Sequence, residues 1–387
     1  MADRDLDLVL YGATGFTGGL TAEYLARNAP KDLRWAIAGR NARKLAEVKD
    51  RLEAIDPQLK DLTLIAADST DPASMTSLTQ STKALITTVG PYATYGESLV
   101  AACAAAGTHY GDLTGEPEFV DRVWLRYHEM ALKSGARLVH CCGFDSIPHD
   151  LGAYFTLLQL PEGVPVQIDG YVRVYGEFSG GTMDSALTGM SEAPKLIKAA
   201  RERKAKEVLP EGRRAKVRLQ APGHDDEFGW HMPLPTIDPK VVQRSAQAID
   251  RYGPAFTYSH NMTAHKPLTL PVMAAATPLV FIAAQIPPLR KKISNRRPPG
   301  EGPSPETRAK SRFWVKFHGR AGGEEVHTIF AGGDPGYDET AKMLAESGMA
   351  LATDELPDRA GQLTPVAAMG DRLLERLVAA GTEIRSV

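Results

Sequence analysis

Leu6-Asp7-Leu8-Val9-Leu10-Tyr11-Gly12-Ala13-Thr14-Gly15-Phe16-Thr17-Gly18 decides how the first third of this chain folds. Leu6–Tyr11 is apolar enough for a strand covered on both faces, and the residues after Gly18 read as a helix. Strand, glycine turn and helix in that order aim backbone N–H groups and a positive helix end at one point, which favours a pyrophosphate. Gly12 permits the tight exit from the strand. Gly15 lets the backbone approach a ligand without a Cβ in the way, and Gly18 lets the helix lie close to the sheet. Thr14, Phe16 and Thr17 complete the turn and belong to the same candidate site.

Outward from this unit, further strands are expected at 33–38, 62–67, 84–89, 108–113 and 137–141, with helices such as 42–55 and 97–106 between them. This alternation argues for an α/β fold, a doubly wound parallel sheet of the Rossmann type. After about residue 160 the pattern changes. Val166, Ile168, Gly170, Val172 and Val174 recur with period two, and 255–259, 312–318 and 325–330 are further strand candidates, so a second domain of α+β type is expected. Helices at 337–347 and 371–380 are expected to return to the first domain. The division is 1–150, 151–335 and 336–387.

A chain of 387 residues is long for one core and suits about two domains. Its net charge of −2 gives no pointer to nucleic acid. The three cysteines are Cys103, Cys141 and Cys142, an odd set with two adjacent that speaks for a reducing compartment. The N-terminus runs straight into the first strand with no apolar signal core, so a cytoplasmic protein is expected.

The end of the second strand reads Ala38-Gly39-Arg40-Asn41, with no acid until Glu47. An NAD site usually has Asp or Glu there for the ribose 2′-hydroxyl, whereas Arg40 offers a fixed fork for a 2′-phosphate, so the expected cofactor is NADP(H). Asp68 ends the third strand, where it either meets the adenine or caps a helix. Gly90, Pro91 and Tyr92 end the fourth and are expected beside the nicotinamide ribose. Two polar clusters follow, 110–116 and 142–150. Tyr110, Asp145 and Ser146 are the catalytic candidates, each with a structural alternative as a turn, cap or core residue. His140, Cys141, Cys142 and His149 match no zinc spacing, and no metal is expected.

Leu268–Leu289 has no charged residue, is interrupted by Pro271, Pro278, Pro287 and Pro288, and is followed by Arg290, Lys291 and Lys292. Four readings stand: a core segment, a homodimer contact, peripheral contact with the inner face of the plasma membrane, or an apolar groove for a long acyl substrate.

Taken together, GATGFTG at 12–18, AGRN at 38–41, VGPY at 89–92, YGE at 95–97, YGD at 110–112, TGE at 114–116 and GFDSIP at 143–148 resemble the saccharopine dehydrogenase-like oxidoreductases, nearest the trans-acting enoyl reductases of actinobacteria. GGT at 180–182 with Ser185, and LTP at 363–365, extend the resemblance along nearly the whole chain. It implies a Rossmann domain with an inserted α/β substrate domain and C-terminal helices packed back on the first. It also implies an NADP(H)-dependent reductase of an unsaturated acyl or polyketide-type substrate, carrier-bound, feeding lipid and glycolipid synthesis. The rivals are a non-catalytic NADP(H)-binding protein that senses redox state at a membrane surface, and an imine or carbonyl reductase of the same fold. Saccharopine itself would call for paired cationic anchors, and no convincing set stands out.

Overall fold

The computed structural model describes residues 4–176, 193–264 and 302–387. The first sheet takes in β1 (Leu6–Tyr11), β2 (Trp35–Gly39), β3 (Thr63–Ala66), β4 (Thr82–Thr87), β5 (His109–Asp112) and β6 (Arg137–Val139). Between them run α1 (Phe16–Asn28), α2 (Ala42–Ile55), α3 (Pro72–Gln80), the short α4 (Tyr92–Tyr95), α5 (Glu97–Ala106) and α6 (Pro117–Ser134), and α7 (Ile147–Leu158) follows β6. All six strands are parallel, in the order β6-β5-β4-β1-β2-β3, so the direction of winding reverses between β1 and β4. In such a sheet the crevice beyond the strand ends at the reversal is where a ligand binds.

The central strands are covered on both faces, and the edge strand β3 is half-exposed. In β1, Leu8 and Leu10 join one core cluster and Val9 and Tyr11 the other, as period two requires when neither face meets water. Helix starts follow local chemistry: Asn41 caps α2 through the Lys44 N–H at 3.0 Å, and Asp71 followed by Pro72 opens α3. α5 and α6 end at Gly107 and Gly135, both at positive φ.

The second sheet is mixed. It is built from β7 (Val166–Tyr175), β8 (Arg214–Val217), β9 (Gly223–Asp225), β10 (Gly229–Pro233), β11 (Ala255–Ala264), β12 (Arg312–Ala321) and β13 (Glu324–Gly332). α8 (Ala193–Lys206), α9 (Asp238–Ala248) and the short α10 (Pro305–Arg308) accompany these strands. α11 (Asp338–Thr353) then returns to pack on α1 and β4, β14 (Gly361–Leu363) extends the first sheet beside β6, and α12 (Pro365–Ala379) packs on α7 and α11. The last strand, β15 (Glu383–Ser386), goes instead to the second sheet, antiparallel to β13. The apolar segment 268–289 and the motif at 180–185 lie outside the described residues. No described helix is long and apolar enough to cross a membrane.

α7 joins the two sheets. Ile147, Leu151 and Leu157 are fully buried in a core cluster that also holds Val315, Phe317 and Phe330 of the second sheet. Each such side chain stabilises the fold by about 1.5–3 kcal/mol relative to exposure. The approach is close enough to require glycine: a Cβ at Gly152 would lie 2.3 Å from the Phe317 ring. Phe317 is itself fully buried and has no room to yield. Gly152→Ala is therefore expected to destabilise the protein by about 1–3 kcal/mol through overpacking, seen as a lower urea midpoint with an unchanged slope.

Candidate functional site

The turn after β1 shows why its glycines are glycines. Gly12 has φ +97°, a left-handed conformation, and a Cβ there would meet Val89 Cγ2 at 2.7 Å. A Cβ at Gly18 would stand 2.1 Å from the Gly12 carbonyl oxygen, a backbone atom that cannot move aside. At Gly15 only the Gly12 oxygen comes near, at 3.4 Å, so the outer side of the turn is open. Gly15 is the N-cap residue of α1, no side chain caps that helix, and its first turn carries no acid. Uncapped N–H groups at an open helix start form the cradle that a phosphate fills, so these residues fit a dinucleotide. Thr14 is exposed on the turn, Thr17 is half-buried, and Phe16 packs edge-on against Tyr337 with ring centroids 4.9 Å apart.

Arg40 is exposed beyond the end of β2 and makes no ion pair among the described residues. Asp68 accepts hydrogen bonds from the Thr70 N–H and hydroxyl, both at 2.9 Å, which hold its carboxyl below the usual range. The helix cap that Asp68 was weighed for belongs to Asp71. Asp68 closes a local turn near Arg40, whose charge it feels.

Gly90 and Pro91 leave β4 through a cis peptide bond, with Gly90 exposed at the crevice. Tyr92 turns the other way. It is buried, its hydroxyl donates to the Thr87 carbonyl at 3.1 Å and accepts from the Leu113 N–H at 3.2 Å. The Glu116 carboxylate accepts from the N–H groups of Tyr92 and Ala93 at 3.0 and 2.8 Å. The loops after β4 and β5 are thus clamped together from inside.

Of the three catalytic candidates, the structure brings Asp145 and Ser146 to one place and sets Tyr110 apart. Tyr110 is fully buried in the core beneath α5 and α6, and its hydroxyl donates to Asp112 at 2.9 Å. Burial raises its phenol well above the ordinary range. Its ring is packed under the helices on that face of the sheet, away from the crevice. Asp112 gathers the ends of two strands: it also receives the His140 Nδ1–H at 2.7 Å and the N–H groups of Thr114 and Cys141, both at 3.1 Å.

Asp145 lies in the loop between β6 and α7, against Gly115 of the β5 loop; a Cβ there would come within 3.2 Å of Asp145 Oδ2. It is partly exposed, and its carboxyl has no hydrogen-bond partner among the described residues. Burial first, and then the charge of Asp238, push it up to about 7. Ser146 is fully buried and donates to Asp238 Oδ1 at 3.2 Å rather than capping α7. Asp238 opens α9 and His260 sits in β11, so the second sheet contributes to this corner of the crevice. Neither residue carried a local motif; only the fold brings them to Ser146.

Residues 8–139 match the family described as the saccharopine dehydrogenase NADP binding domain. A trans-acting enoyl reductase of Mycobacterium tuberculosis is 37% identical over 413 residues, covering 98% of this chain and 97% of its own. A trans-acting enoyl reductase of Mycobacterium ulcerans is 34% identical, covering 99% and 98%. Among solved structures, apo saccharopine dehydrogenase (L-Glu forming) from Saccharomyces cerevisiae has a TM-score of 0.56 at 12% identity over 98% of this chain and 99% of its own, a likeness of fold.

The inner clamp gives a direct test. Glu116→Ala leaves one buried and one half-buried N–H group without their acceptor and is expected to destabilise the protein by about 1.5–3 kcal/mol, measured by chemical denaturation.

Proposed function

The chain belongs to the saccharopine dehydrogenase-like oxidoreductases and binds NADP(H), and we propose that it is a reductase of enoyl thioesters with Asp145 as the proton donor. The observation that carries this reading is the pairing of the open glycine cradle with an unpartnered carboxyl at the same strand ends. The names of the relatives support the substrate class. An acyl or polyketide-type chain on a carrier, destined for lipid synthesis, is the reading adopted. Segment 268–289 is the proposed apolar contact, with substrate or with a membrane surface.

NADPH supplies the hydride when bound. Gly12, Gly15 and Gly18 leave room for its pyrophosphate, and the first N–H groups of α1, at Phe16 and Thr17, face the negative charge. Thr14 and Gly90-Pro91 line its path along the crevice, and the backbone at Tyr92 is held by Glu116. Arg40 meets the 2′-phosphate, and Asp68 borders the adenine. Reduction of the enoyl double bond needs a proton at the carbon next to the carbonyl. Asp145, pushed up to about 7, keeps a protonated fraction near neutrality and is partly exposed. Ser146, bonded to Asp238, fixes the loop that carries it.

Arg40→Ala is expected to raise the Kd for NADPH about 10- to 100-fold, the worth of charged hydrogen bonds, while leaving NADH nearly unchanged. Fluorescence titration of the two cofactors reads this directly, and equal losses for both would remove Arg40 from the 2′-phosphate. Asp145→Asn is expected to lower kcat about 10²- to 10⁴-fold with little change in NADPH affinity. Because the acid form is the active one, wild-type kcat should be flat below about 7 and fall as pH rises through it. No NADPH oxidation with enoyl thioesters of any chain length, by protein that binds NADPH, would refute the enzyme reading.

A further inference from the structure

Behind Ser146 lies a cluster that reduction of an enoyl group does not call for. His149 of α7, Asp238 at the first turn of α9 and His260 of β11 are each buried, and their ligand atoms lie within 4.8 Å of one another. Asp238 Oδ2 is 3.4 Å from His260 Nε2 and 3.9 Å from His149 Nε2. At 3.4 and 3.9 Å these are loose approaches, and among the described residues His260 Nε2 and, on the far side of its ring, His149 Nδ1 have no hydrogen-bond partner. The imidazole rings stand edge to face, centroids 4.6 Å apart.

A buried carboxylate needs compensating positive charge. Asp238 receives hydroxyl hydrogen bonds from Ser146 and Thr236, and among the described residues no lysine or arginine reaches it. His149 and His260 each bring an imidazole nitrogen to within 4 Å of it. Anionic carboxylate and imidazole nitrogens around one point are the ligand chemistry of a borderline divalent cation.

We propose that His149, Asp238 and His260 form a binding site for a divalent cation of the zinc class, which ties α7 of the first domain to α9 and β11 of the second. A tetrahedral zinc with N and O ligands places its donors about 3.4 Å apart. The Asp238–His260 pair already has that spacing, and the Asp238–His149 pair needs to close by less than an ångström. Two of the three ligands have outer partners: the Tyr258 hydroxyl reaches His260 Nδ1 at 3.2 Å, and Ser146 and Thr236 hold Asp238. The three ligands come from residues far apart in sequence, so no spacing motif announces them. The ion has a structural part, holding the Asp145 loop against the second sheet, and takes no part in hydride transfer.

The test uses the full-length protein without a histidine tag. It is stripped with a chelator, dialysed against Zn²⁺ or Co²⁺, and its metal is counted by mass spectrometry. A second group, His318, Glu325 and His327 on the β12–β13 hairpin, is partly exposed and provides the internal comparison. The expected result is one ion per chain, retained in His318→Asn/His327→Asn. Affinity should be weaker by at least about tenfold in His260→Asn and in His149→Asn. The Co²⁺ form should show the absorption of four-coordinate cobalt, and the loaded wild type should melt above the stripped form. Absence of bound ion in the reloaded wild type overturns the proposal, as does loss of the ion in the hairpin variant or its undiminished retention in His260→Asn. Should the ligand variants not fold, the metal count and melting difference of wild type decide the matter. Neither readout depends on NADPH oxidation.

Discussion

The carbonyl of Gly12 occupies the space where a side chain at position 18 would begin. That contact sets the distance between β1 and α1, and most of the crevice follows from it. Because the helix lies so close, its first N–H groups come level with the ends of β1 and β4. The β4 loop then passes directly over the turn, with Val89 and Thr88 against Gly12. Glu116 ties that loop to the next, and Asp112 ties the end of β5 to the end of β6. A row of strand ends is thus fixed side by side through backbone approaches and buried carboxylates, and the half-exposed groups between them are left to meet ligands.

Much of this was legible in the residues. The helices expected at 42–55 and 97–106 are α2 and α5, residue for residue. The first-domain strands fall where the apolar runs are, because a strand covered on both faces writes itself as an unbroken apolar segment. The second sheet was harder. Its first strand showed as period two, but β11 continues past Ser259 through His260 and Asn261, polar residues that read as the end of a strand. Register explains them: they pair with Gly170 and Tyr171 of β7, inside the sheet. Their side chains are buried with polar partners, Tyr258 for His260 and Gln220 for Asn261. The strands β8, β9 and β10 are only four, three and five residues long, too short for their patterns to stand out.

The site divides along the same line. The glycines could be read because backbone geometry leaves its mark on the residue at that position. Side-chain chemistry between distant segments leaves none. Tyr110 stands in a polar cluster at the end of the fifth strand and so reads as a crevice residue, yet its ring lies in the core and its hydroxyl is taken up by Asp112 on the same face. Asp145 and Ser146 were legible from their place after β6, whereas Asp238 and His260 arrive from the second sheet and have no neighbour in sequence to give them away.

The path of the chain has a mechanical consequence. It passes from the first sheet to the second after α7, returns after β13 through α11 and β14, and passes again to the second as β15. Three separate crossings, together with the glycine-close seat of α7 on β12, leave no single linker about which the two halves can swing open. Any movement that parts the two sheets must therefore bend all three connections together. A change at one connection would be resisted by the other two, and by the seat of Gly152 against Phe317.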